Sequence, residues 1–191
     1  MTPDEIRARA RRILQRAKAE LTKTATVQPA VYFLPVNGEE EVLIELPGEI
    51  MNVPEAKAVL FGFITDLARS RQAELAAVLT LTDIWTLRFT EEQQARLADP
   101  IARAEYDELS RDFNGGLQAC AAAGYGELME GLILGIQTPL FNGLFTQIYR
   151  RAGAEKRHII FEEYSEQDDT GGGALQGRLF KIWPTAQGAA Q

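Results

Sequence analysis

The chain holds one histidine, His158, and one cysteine, Cys120, and that scarcity removes several kinds of chemistry. Zinc sites built on Cys and His need several such ligands, so none can be assembled within one chain. Cys120 lies in an alanine-rich run without a flanking cation, the setting of a packed and inert thiol. His158 precedes Ile159 and Ile160 in a β-rich run; it reads either as a base or as a surface strand histidine, on one face with Ile160 and Glu162. Glu162 and Glu163 are adjacent, and strand alternation sends them to opposite faces, which argues against an acid–base pair. Asp83 stands inside an otherwise apolar strand, two residues before Trp85. It reads either as a strand-end or solvent-face carboxylate, or as a buried, hydrogen-bonded group with a shifted pKa. A small hydrolase or transferase would draw on Asp83, Glu162 or His158.

The glycine-dense stretch "DDTGGGALQG", Asp168–Gly177, raises the question of a phosphate cradle. A phosphate loop needs a lysine and a hydroxyl after its last glycine, and a dinucleotide loop needs a strand before it and a helix after it. Here a strand-like run follows, and Asp168 and Asp169 would repel a phosphate. With Thr170 they could ligate Mg²⁺ or Ca²⁺, but their spacing fits no calcium-loop pattern. The expectation is an acidic connection between two strands that faces a cationic partner, with no cofactor and no metal.

These residues must be positioned by a chain of 191 residues, 46% hydrophobic and 25% charged, which suits one folded unit. One α+β domain over residues 1–184 is expected, with 185–191 as a flexible tail. No apolar h-region follows the basic start, and no run reaches the ~20 apolar residues of a membrane span. A cytoplasmic protein is expected. Residues 1–23 carry seven Lys or Arg against three Asp or Glu (+4), and the remainder 13 against 24 (−11). Such an arm binds nucleic acid, or it lies on the acidic body of its own chain; with small alanines and no aromatic anchor on its apolar side, it is a poor membrane helix.

Thr2, Pro3, Asp4 and Glu5 start a helix. Its apolar stripe is Ile6, Ala10, Ile13, Leu14, Ala17 and Leu21, with Arg7, Arg9, Arg12 and Arg16 mostly beside the stripe. "AVYFLPV" and "EVLIEL" around an Asn-Gly turn read as a hairpin, and Pro35 marks a sheet edge or strand end. Residues 54–72 form a helix that buries Ala56, Val59, Leu60, Phe63, Ile64 and Leu67, and 76–89 is a central strand. Thr90 and Gln93 give a capping box, Pro100 splits the charged segment into two helices, and 115–131 is open between helix and strand. Residues 131–138 read as a strand, 139–153 as a short helix, and 157–164 and 177–183 as closing strands. Tight turns between consecutive strands predict a mainly antiparallel sheet of five to six strands with amphipathic helices packed on it.

The run "TLTDIWTLRF" followed by "LADPIARAEYDELSRDF" resembles a group of small bacterial and phage domains of unknown function. In them an acidic residue, one residue and a tryptophan end a strand, and a Pro, Arg and Glu pattern follows; Asp83 and Trp85 match the first part, and Pro100, Arg103 and Glu105 the second. The resemblance implies a cytoplasmic accessory protein of a phage or mobile element. With no base, metal set or phosphate loop in view, the leading expectation is a non-enzymatic factor that binds another protein. Its candidate contacts are the helix arginines, Phe141, Phe145, Tyr149, Asp168 and Asp169, and self-association through 139–153 is a companion expectation. Nucleic-acid binding through the first helix is the alternative.

Overall fold

The computed structural model describes residues 1–39, 41–51, 53–111, 115–153, 158–169 and 182–183. Within them β1 (Ala30–Pro35), β2 (Val42–Glu45), β3 (Leu75–Arg88), β4 (Glu127–Gln137), β5 (Asn142–Ala152) and β6 (His158–Asp169) form one sheet, order β2-β1-β3-β4-β5-β6. Every neighbouring pair is antiparallel. The described helices are α1 (Pro3–Thr24), α2 (Gly48–Met51), α3 (Pro54–Ser70), α4 (Glu91–Arg96), α5 (Pro100–Leu109) and α6 (Gly116–Ala122). The fold is α+β.

Helix α1 begins with a capping box, the Thr2 hydroxyl accepting from the Glu5 amide while the Glu5 carboxylate accepts from the Thr2 amide. This arrangement satisfies two of the amides that every helix start leaves without an intrahelical partner. Ile6, Ala10, Ile13, Leu14, Ala17 and Leu21 are all buried, and they meet Leu79, Leu81, Leu132, Leu134, Phe145 and Tyr149 on one face of the sheet. The opposite face of β1 and the start of β3 packs on α3 through Val31, Phe33, Val78, Ile64 and Ala68. Residues 75–81 of β3 are therefore buried throughout, as a strand covered on both faces must be. A third cluster joins α4, α5 and α6 to the far end of β3 through Leu87, Cys120 and Tyr125.

Several expectations from sequence are corrected. Residues 139–153 are not a helix: β5 alternates buried Gly143, Phe145, Gln147 and Tyr149 with half-buried Leu144, Thr146 and Ile148, the period of two that a strand imposes. Thr138 sets the turn into it, its hydroxyl donating to the Phe141 carbonyl at 2.6 Å and accepting from the Leu140 and Phe141 amides. Residues 115–131 divide between α6 and the start of β4. The hairpin turn is longer than Asn-Gly alone, because the last β1–β2 pair is Phe33 with Val42, while Leu34 and Pro35 pair with β3. Strand β6 does not end at Tyr164 but runs to Asp169, so Asp168 and Asp169 sit opposite Gly143 and Asn142 rather than in a loop. The glycine stretch from Thr170 onward, the tail beyond Pro184 and most of the expected strand 177–183 lie outside the described residues.

Candidate functional site

The basic flanks of α1 are engaged by the rest of the chain. On one side Arg7 reaches Asp168 at 2.6 Å and stacks over Phe141 at 4.6 Å, and Arg11 holds Glu166 through two bonds of 2.7 Å. Lys18 donates to Gln147 at 2.8 Å and sits 4.5 Å over Phe161. On the other side Arg9 donates to the carbonyls of Gly38 and Glu39, and Arg16 pairs with Glu41. Arg12 is exposed, and among the described residues it makes no ion pair. The hydrogen bonds from Arg11 hold the Glu166 carboxyl below its usual range, and burial beside Glu166 pushes the Tyr164 phenol up to about 12.

Beside the C-terminal end of α1 a polar row crosses β3, β4 and β5. Trp85, Glu130 and Tyr149 are direct cross-strand neighbours, with Asp83 two residues before Trp85 on the same face. The Tyr149 hydroxyl donates to Asp83 at 2.8 Å. Arg151 donates to Glu130 at 2.7 Å, to the Ala25 carbonyl at 2.7 Å and to the Tyr149 hydroxyl at 3.3 Å. Ala25 is the left-handed cap of α1, φ 60°, so Arg151 ties the helix end to the sheet. Burial and the neighbouring carboxylates push the Tyr149 phenol far above its ordinary range, which makes it a neutral donor rather than a base.

Asp83 is open to solvent on one side, while the sheet and Tyr149 remove part of its hydration, and this loss raises its carboxyl above the usual range. A carboxyl raised by folding stabilises the fold fully below its unfolded pKa and loses that contribution as pH rises through the folded value. Asp83→Asn keeps the acceptor for Tyr149. It is expected to stabilise the protein at pH 7 by under about 1 kcal/mol, the residue being exposed, and to bring no gain below about pH 3. Urea titrations at both pH values check this; an equal gain at both would show that charge is not the cause.

The other sequence candidates do not join this row. Glu162 lies on the opposite face of the sheet, held by Arg88 at 3.0 Å and Arg150 at 2.8 Å. Exposed His158 pairs with Ala152 at the start of β6, also facing away from the row. The register slips between Gln147 and Tyr149, so Glu162 and Glu163 both oppose Ile148, and Glu163 also comes within 3.7 Å of Arg88. The bulge defeats the simple alternation that separates adjacent strand residues. Glu130 and Arg151 were missed by the sequence reading; the signal was the period-two pattern of 142–152, which sets Gln147, Tyr149 and Arg151 on one face.

Phe145 and Tyr149 are fully buried, so these two are not open to a partner, while half-buried Phe141 lies under Arg7. Among the described residues, six of the ten large exposed apolar or aromatic residues, Val36, Val42, Leu43, Val53, Val59 and Phe63, fall between residues 36 and 63, while Trp85, Ile101, Leu140 and Tyr164 stand apart from them in sequence. On α3, Val59 is 74% and Phe63 63% exposed, one turn apart, beside Ile50, Ala56 and Leu60. The expectation that both are core residues is corrected. With Phe61 and Ala68 included, the apolar arc of α3 spans about 200° at 100° per residue, wider than one sheet can cover. Among the described residues no helix is long and apolar enough to cross a membrane, and no group of three or more His, Cys, Asp or Glu could hold a metal ion.

No protein-family model, curated protein or solved structure matches this chain. The function is therefore read from these surfaces alone.

Proposed function

We propose that this protein is a non-enzymatic accessory factor that binds another protein chain through the outer face of α2 and α3. The observation that carries the reading is the pair Val59 and Phe63, exposed together on a helix that already buries a separate apolar side. Contiguous exposed apolar surface of this kind marks interaction sites, and an amphipathic helix face is a common docking element. Nucleic-acid binding through α1 has less support, because Arg7, Arg9, Arg11 and Arg16 already face carboxylates or carbonyls of their own chain. A carboxylate-based enzyme has less support too, since Asp83 lies on the opposite face from Glu162 and His158.

Val59→Lys and Phe63→Lys are expected to leave thermal stability nearly unchanged, because surface substitutions usually fall within about 0.5 kcal/mol. In affinity capture from the protein's own host, each is expected to remove the proteins that the wild type retains. Identical captured sets for wild type and both variants would sink the reading.

A further inference from the structure

Strand β2 is an edge of the sheet. The Leu46 amide donates to the Pro29 carbonyl at 2.7 Å, and along an antiparallel strand the residues that bond to a given neighbour alternate. Ile44 and Val42 therefore bond to β1, opposite Val31 and Phe33, while the amides and carbonyls of Leu43 and Glu45 point away from the sheet. Natural edges are blunted by lysine, proline or a bulge. Val42, Leu43 and Ile44 carry none of these: their pairing with β1 runs without a register shift, and Val42 and Leu43 are 48% and 47% exposed.

The same alternation sets the two sides of this edge apart. Val42 and Ile44 face the α3 side, where Ile44 packs with Phe33 and Leu46, and Leu43 and Glu45 face the α1 side. Because α1 packs chiefly over β3, β4 and β5, a cleft of about 620 Å³ stays open between it and the β1–β2 ribbon. Ala17, Ala30, Tyr32 and Leu81 line this cleft, and Glu20, Glu41 and Glu45 stand on it. Arg16 pairs with Glu41, whereas Glu20 and Glu45 have no cationic partner among the described residues.

We propose that β2 accepts an additional strand from another protein, an extended segment that alternates basic and β-branched apolar residues. The backbone of that segment pairs with the outward amides and carbonyls of Leu43 and Glu45, as in other cases of strand addition. Cross-strand neighbours share a face, and opposite charges across a pair attract. The residues opposite Leu43 and Glu45 therefore carry their basic ends to Glu45 and Glu20, and the residues between them lie on Val42 and Ile44. A second copy of this chain is disfavoured at this edge, because the twofold pairing of two β2 strands about Leu43 sets Glu41 on Glu45 of the other copy. The edge is separate from the α2–α3 face and does not rest on it.

A labelled, capped peptide of alternating lysine and valine, titrated with the protein up to about 1 mM and followed by fluorescence anisotropy, tests this. It is expected to bind, and the same peptide with glutamate in place of lysine to bind at least about tenfold more weakly. On binding, the Leu43 and Glu45 amides are expected to shift in NMR spectra and to slow in hydrogen exchange. Leu43→Pro removes an outward donor without touching a bond to β1, and is expected to abolish binding at unchanged circular dichroism. Glu20→Lys combined with Glu45→Lys leaves the edge backbone intact and is expected to turn the preference toward the glutamate peptide, while Val59→Lys changes nothing. No binding by the wild type, equal binding of the two peptides, unmoved Leu43 and Glu45 amides, full binding by Leu43→Pro, or a preference unaltered by the two lysines would each overturn the proposal. A wild type that pairs with itself through those amides in the absence of peptide would give the edge to a second copy and overturn it as well.

Discussion

Phe145→Ala is expected to destabilise the protein by about 3–5 kcal/mol, the range for truncating a buried aromatic residue. Phe145 is fully buried between α1 and the sheet; it pairs across the strands with Leu134 and Glu166, stands edge-on to Tyr164 with ring centres 6.4 Å apart, and has Arg11 above it. Strands and a long helix meet there, so little of the surroundings can collapse into the space. A typical domain holds only about 5–15 kcal/mol in total, and the loss should appear as a large drop in the urea midpoint at unchanged slope. Leu144→Ala, half-exposed on the opposite face, should cost roughly 1 kcal/mol. Equal effects at the two positions would contradict the alternation of β5.

Arg151→Met is expected to cost about 2–3 kcal/mol, a reduction from the 3–5 of a fully buried pair. Arg151 and Glu130 keep 21% and 15% of their side-chain exposure, so water replaces part of what is lost. Methionine retains most of the apolar stem, which isolates the missing charge from missing packing. The Glu130 carboxylate and the Ala25 carbonyl then lose their donor, and the end of α1 loses its tie to β5. Glu130→Leu with Arg151→Met should recover much of the loss, because removing both members of a buried pair leaves no uncompensated charge. A double-mutant cycle measures this directly; additive losses would show that the two residues act independently.

The candidate surfaces were only partly legible in the sequence. Both readings of the basic arm were available from charge alone, and net acidity favoured the one in which the arm lies on the acidic body; its partners could not be named, because Glu41 comes to α1 from the residue before β2, and Glu166 and Asp168 from β6. Asp83 and Trp85 were noticed as a polar interruption in a strand, yet their neighbours Glu130, Tyr149 and Arg151 are contributed by β4 and β5 through register. The segment 139–153 was misread because its apolar residues satisfy helical spacing as well as alternation, and short apolar runs are ambiguous in this way. Val59 and Phe63 were assigned to the core because a helix pattern shows which residues are apolar but not how much of the arc the sheet covers.

What the sequence determined by itself is local: the cap and stripe of α1, the split at Pro100, the central position of β3 and the α+β class. Each rests on interactions within a few residues, or on a period that burial on one side enforces. What only the tertiary structure decided is which groups meet: the ion pairs that occupy α1, the row around Tyr149, the bulge that aligns Glu162 with Glu163, and the bare face of α3. Those follow from strand order and register, which bring residues 21 to 161 positions apart into contact. No local pattern encodes such pairings, because they depend on which surfaces the rest of the chain has already covered.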